Sequence, residues 1–217
     1  MVNLLIILTT VFSGSFIQVN INNAIKDSIE GRFYMNPPSI SYIHVDHPVN
    51  QILLNNKDTL IIYYPESNEA FKIVTKNPVS EVDASGNFLP ILNDEMFNKM
   101  GLILVKKDYE EGYFIKYYSP VKKTPVKYLK LSFKKNLIYT MEVIDQKDNI
   151  LRKSYFGCYS LVEDKNIPFY LKTVTYTKED SSIKIVKYSS IDIIDNVPDS
   201  IKNFEIPENA EIKVVEW

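Results

Sequence analysis

Apolar and polar residues alternate along most of this chain with a period of two, the pattern of strands whose two faces meet different surroundings. Phe12, Gly14, Phe16 and Gln18 fall on one side of a first strand. The rhythm returns over residues 32–35, 41–46, 51–54, 59–64 and 70–74, and the intervals hold Pro37-Pro38, His47-Pro48, Asn55-Asn56-Lys57-Asp58 and Tyr64-Pro65. Proline fixes the backbone and lacks a donor, and Asn and Asp tolerate tight turns, so these intervals read as the turns of a meander. Further strands are predicted over residues 102–105, 113–118, 128–133, 138–145, 150–159, 170–176, 182–193 and 211–215. Roughly a dozen strands in one chain demand a large sheet, a barrel or a sandwich.

Residues 84–101 break the pattern. Pro90 suits a first helical turn, Asp94 and Glu95 are acids near a helix start, and Gly101 can close the end. Leu89, Leu92, Met96 and Met100 recur at intervals of three and four and so share one apolar face. A lone amphipathic helix among strands has to cover something, and a lid across the sheet is the simplest arrangement. The apolar run from Leu4 to Phe12 is shorter than the ~20 residues that cross a bilayer. It reads either as the apolar part of a signal peptide ending at Ser13-Gly14-Ser15, although Met1-Val2-Asn3 lacks a basic residue, or as the tail of a first helix.

Composition agrees with strands: 15 Tyr and 11 Phe stand against only 6 Gly, and Ile and Val are frequent throughout. With 217 residues and no compositional break, a single domain over residues 1–217 is expected. Basic and acidic residues balance at 25 and 27 and are interspersed, which argues against nucleic acid as a partner. The catalytic and nucleotide-binding signatures are absent: no Gly-x-Ser-x-Gly elbow, no phosphate loop ending Gly-Lys, no His-Glu-x-x-His helix. No enzymatic activity and no cofactor are expected. His44 and Asp46 share a strand face, but His47 points the other way and Cys158 is the sole thiol, so no metal site is assigned. Cys158 reads as a small strand residue, and because no Cys precedes it, an N-terminal lipid-acceptor cysteine is not expected.

Glu30-Gly31-Arg32-Phe33-Tyr34-Met35-Asn36-Pro37-Pro38 and the strands that follow as far as Tyr64-Pro65 place Gly31, Pro38, Pro48 and Pro65 at a characteristic spacing. Phe12-Ser13-Gly14-Ser15-Phe16-Ile17-Gln18 precedes them, and Asn203-Phe204-Glu205-Ile206-Pro207 lies near the other end. Together these segments resemble the periplasmic outer-membrane lipoprotein carrier family, LolA-like. The match is dense over residues 12–65, while residues 120–200 agree only in strand rhythm and suggest a broader lipoprotein-sorting branch.

The resemblance implies an incomplete antiparallel β-barrel of about eleven strands, with a small helical lid over an apolar cavity. It implies a periplasmic, monomeric carrier that shields the acyl chains of lipoproteins, or a similar lipid, and delivers them toward the outer membrane. Its partners would then be an inner-membrane ATP-driven release complex and an outer-membrane acceptor. Alternation nominates Phe16, Phe33, Met35, Ile43, Val45, Leu53, Leu60 and Ile62 as residues lining either that cavity or a filled core, and the lid adds Leu92, Met96 and Met100. The alternative reading is a regulatory protein that senses lipoprotein or lipid on the same half-barrel. One departure stands out: where members of the family carry an Arg that latches the lid, this chain has Pro37, which implies a looser lid.

Overall fold

The computed structural model describes residues 11–23, 25–36, 40–56, 59–74, 94–99 and 101–216. In chain order, six strands come first: β1 (Val11–Asn22), β2 (Ile25–Asn36), β3 (Ile40–His47), β4 (Gln51–Asn56), β5 (Thr59–Tyr64) and β6 (Glu69–Val74). A short helix α1 (Asp94–Lys99) leads into β7 (Leu102–Glu110), β8 (Tyr113–Pro120), β9 (Val126–Lys134), β10 (Leu137–Asp145), β11 (Ile150–Val162), β12 (Lys165–Tyr176) and β13 (Ser181–Ile194). The chain closes with helix α2 (Asp199–Lys202) and β14 (Glu211–Glu216). The strands share one mostly antiparallel sheet of fourteen, ordered β14-β6-β5-β4-β3-β2-β1-β13-β12-β11-β10-β9-β8-β7. The chain divides into two compact units, one of Met1–Phe16, Ile29–Ser80 and Ser189–Trp217, the other of Ile17–Ser28 and Glu81–Tyr188.

In the first unit, antiparallel pairing aligns Phe33 with Ile43, Ile43 with Leu53, Leu53 with Ile62 and Ile62 with Phe71. Directly paired residues lie on the same face, so this row defines one side of the sheet and the intervening residues define the other. On that other side Tyr42, Ile52, Tyr63 and Ala70 are buried, and Ile201, Phe204, Ile206 and Ala210 of the C-terminal segment pack onto them. Phe204 meets Tyr42 edge-on at 5.9 Å and Tyr63 at 6.2 Å between ring centres, geometries that favour aromatic pairs. Asn68, held at φ +53°, ties the returning chain down. Its side-chain amide donates to the Asn209 carbonyl at 2.9 Å, its carbonyl accepts from the Glu211 amide at 3.0 Å, and its Oδ1 accepts from the Tyr63 hydroxyl at 3.1 Å. From there β14 runs parallel to β6, with Phe71 opposite Lys213.

In the second unit, Tyr118, Leu129, Leu131, Met141 and Val143 share one face, and Phe97 of α1 is buried against it with Leu102. The Phe97 and Tyr118 rings lie 4.4 Å apart. Asp94 completes the anchor: its carboxylate accepts from Lys116 Nζ at 2.8 Å and from the Tyr118 hydroxyl at 2.5 Å. Those two donors hold the Asp94 carboxyl below the usual carboxylate range, while burial, aided by the Asp94 carboxylate, pushes the Tyr118 phenol well up. Farther along the same face Ser154 and Thr173 are buried and satisfy each other through a 3.0 Å hydrogen bond.

Several expectations are corrected. Among the described residues the strands number fourteen, one for each of the fourteen segments read from the periodicity and more than the eleven implied by the resemblance. β1 and β2 are longer than the segments read from the periodicity, running on to Asn22 and starting at Ile25. Among the described residues no helical lid is seen. The helix expected over 89–100 is present as Asp94–Lys99, and the ring that anchors it is Phe97, which the spacing of Leu89, Leu92, Met96 and Met100 had not singled out. Residues 4–10, Pro37, Leu89, Leu92 and Met100 lie outside the described residues, as does the Met96 side chain.

Two substitutions test these anchors. Phe204→Ala removes the ring wedged between Tyr42 and Tyr63 and is expected to cost about 3 kcal/mol in urea unfolding. A free energy near that of wild type would mean that the C-terminal segment docks by other contacts. Asp94 has a depressed native pKa, so its contribution is present above the ordinary carboxylate pKa and is lost as pH falls through the depressed native value. Its partly exposed position keeps that contribution at about 1 kcal/mol or less. Asp94→Asn is therefore expected to melt slightly below wild type at neutral pH and together with it in strong acid; a gap that persists in acid would assign the effect to something other than charge.

Candidate ligand-binding face

The face of the first unit that bears the Phe33–Ile43–Leu53–Ile62–Phe71 row lies opposite the side covered by the C-terminal segment. A second row runs beside it, pairing Met35 with Ser41, Ser41 with Asn55, Asn55 with Leu60 and Leu60 with Ile73. Every nominated strand residue of β2 to β5 therefore shares one face, because Val45, two residues from Ile43, lies there too, opposite Gly31. Phe16 of β1 joins them by packing on Phe33, the ring centres 6.5 Å apart.

Burial grades across this surface. Phe16, Phe33, Met35 and Val45 are buried, each no more than 4% exposed, whereas Ile43, Leu53, Leu60 and Ile62 are half-buried. The buried end depends on two glycines. A Cβ on Gly14 would stand 2.2 Å from the Ser190 carbonyl oxygen and 2.8 Å from the Phe33 ring, and one on Gly31 would stand 2.3 Å from the His44 carbonyl oxygen. Absence of a side chain at both positions lets the strands approach and leaves the Phe33 ring its place. Phe71 and Ile73 of β6 complete these two rows, and the alternation over residues 70–74 carried the signal for them.

Polar chemistry is sparse on this face and concentrated on the other. Arg32, His44 and Ile52 form a row there. Arg32 pairs with Asp46 at 3.0 Å, which holds its guanidinium firmly protonated, and His44 Nε2 donates to Asn50 Oδ1 at 2.8 Å. His44 and Asp46 are thus engaged with Asn50 and Arg32, and among the described residues no group of three metal-ligating side chains occurs. Cys158 sits exposed in β11 at φ +52°. Among the described residues no helix is long and apolar enough to cross a membrane.

No curated protein matches this sequence. Solved structures share its fold. An outer membrane lipoprotein-sorting protein domain assigned as such in Vibrio parahaemolyticus superposes with a TM-score of 0.64 at 14% identity, covering 89% of this chain and 89% of that one. A DUF1329 family protein from Desulfovibrio piger gives 0.63 at 13% identity over 88% and 89% of the two chains. A LolA superfamily protein from Nitrosomonas europaea gives 0.61 at 12% identity over 89% and 90%. At such identities the likeness is one of fold. The sequence itself carries the pattern of the outer membrane lipoprotein carrier protein LolA over residues 8–156, more than half its length, and the chain therefore belongs to the LolA family.

Proposed function

We propose that this protein is a periplasmic carrier, not an enzyme, that shelters the acyl chains of lipoproteins or of a similar lipid and delivers them toward the outer membrane. Membership of the LolA family supports the carrier role. The observation that carries the reading to particular residues is the graded apolar face. Aliphatic side chains of Ile43, Leu53, Leu60 and Ile62 stay half-buried beside the buried Phe16, Phe33, Met35 and Val45, on the side of the sheet opposite the C-terminal cover.

The physical logic is that of a reversible solvent. Each CH₂ sheltered from water is worth about 0.8 kcal/mol, so an acylated protein does not cross an aqueous space unaided. A carrier must match that gain closely enough to hold its load and loosely enough to give it up. Half-buried aliphatic side chains fit the second requirement, because a ligand that covers them gains area without displacing a finished core. Leu92, Met96 and Met100 belong to the same proposal as contributors from the 89–100 segment. A release complex in the inner membrane and an acceptor at the outer membrane are the partners that such a role requires, and a monomer suffices for it.

Saturable binding of an environment-sensitive acyl probe tests the assignment. Ile43→Asp and Leu53→Asp each place a carboxylate in the middle of the row, at a cost of several kcal/mol unless it protonates or meets water. Each is expected to weaken probe binding by more than about tenfold while leaving the circular dichroism spectrum unchanged. Folded variants that bind as tightly as wild type would remove this face from consideration.

A further inference from the structure

The second unit has a charged face that lipid shielding does not use. Its strands β7 to β13 direct one parity of residues away from Leu131 and Phe97, and the register links that parity in one row across five of them: Lys106 faces Tyr117, Tyr117 faces Lys130, Lys130 faces Glu142, and Glu142 faces Lys153. The neighbouring rows add Tyr155 opposite Lys172 and Tyr170 opposite Lys187, and Lys134 lies over the Tyr113 ring. Lys106, Lys130, Lys134, Lys153, Lys172 and Lys187 thus share this face with three acids, Asp108, Glu110 and Glu142. Asp145, at the rim, spends its carboxylate on its own turn, accepting from the Lys147 and Asn149 amides. A chain with a formal net charge of -2 therefore concentrates positive charge on one side of one unit.

The lysines are arranged in two ways. Glu142, only 7% exposed, sits beneath Lys153 at 2.6 Å and Lys130 at 3.8 Å, and Lys106 pairs with Asp108 at 2.6 Å. Lys172 and Lys187 have no acidic partner among the described residues. Tyrosine rings lie beneath the ammonium groups: Lys106 and Lys130 Nζ are 5.2 and 5.8 Å from the centre of Tyr117, and Lys153 Nζ is 5.4 Å from that of Tyr155. With strands ~4.8 Å apart, the row from Lys106 to Lys153 extends over roughly 19 Å.

We propose that this face is a docking surface for an anionic phospholipid bilayer. Charge complementarity requires an anionic partner, and the residue types choose between the two broad kinds. Lysine is depleted from the cores of protein interfaces, where its ammonium would be stripped of water. At a headgroup layer a lysine ammonium stays hydrated among phosphates, and the tyrosines beside these lysines supply the pairing of aromatic and basic residues that membrane interfaces favour. Contact with a membrane through this face goes beyond cargo shielding, and its test does not depend on whether cargo binds.

The experiment is co-sedimentation of the full chain with vesicles of phosphatidylcholine alone and of phosphatidylcholine mixed with phosphatidylglycerol, at low and high salt. Binding is expected only to the anionic vesicles and is expected to fade as salt screens it. At roughly fivefold per lysine near the surface, Lys172→Glu with Lys187→Glu should weaken it by about twentyfold or more. Lys202→Glu, in α2, should leave it unchanged, and single Lys187→Glu, at an exposed position, provides the reading if the double variant misfolds. Equal binding of wild type and both charge-reversed proteins, equal binding to neutral vesicles, or no vesicle binding at all would overturn the proposal, the last pointing to an acidic protein as the occupant.

Discussion

Cross-strand register is the constraint on which this molecule depends. A strand has only two faces, so a slip of one residue in any pairing would exchange every inward and outward side chain beyond it. The pairings Phe33–Ile43–Leu53–Ile62–Phe71 keep one chemistry in line across five strands, and Lys106–Tyr117–Lys130–Glu142–Lys153 do the same for another. Where alignment has to change, the ladder absorbs it locally, as at Glu30/Gly31 and at Leu104/Lys106. Bulges of this kind restore the parity that both surfaces need.

Both units bury a ring to attach an irregular segment to a regular sheet. Phe204 brings the C-terminal segment onto Tyr42 and Tyr63, and Phe97 brings α1 onto Tyr118. Beside each ring a polar contact fixes direction: Asn68 for the first, Asp94 with Lys116 and Tyr118 for the second. An aromatic ring contributes area but little orientation, while a hydrogen bond orients at modest net gain, so the combination secures a short segment that could not hold its conformation alone. The segment around Phe204 and Ile206, which carried part of the family resemblance, has a physical reason for its pattern: those two apolar residues dock on the sheet, as do Ile201 and Ala210 on either side.

The two candidate surfaces divide the work by chemistry. Apolar residues of graded burial suit a ligand that is hidden from water, and lysines lying on tyrosines suit a surface that stays wet. Glu142, buried between Lys130 and Lys153, offsets part of the positive charge there, and the lysines in turn compensate the cost of burying a carboxylate.

Much of this was legible in the chain because a strand writes its period directly into the sequence. The strands around Phe16, Phe33, Ile43, Leu53 and Ile62, their turns, and the common face of the nominated residues all follow from alternation and from the Pro, Asn and Asp between them. The reach of β1 to Asn22 and of β2 back to Ile25 was not, since the exposed polar residues Asn22, Asn23, Lys26, Asp27 and Ser28 read as a turn. Nor could periodicity disclose which partner lies beyond hydrogen-bonding reach of the local sequence. The parallel pairing of β14 with β6, the docking of Phe204 opposite the candidate ligand face and the seat of Phe97 on Tyr118 join residues far apart in the chain. The sequence by itself determined which side chains share a face, because parity is local; only the tertiary structure decided what each face meets, because that is set by long-range packing that no local pattern encodes.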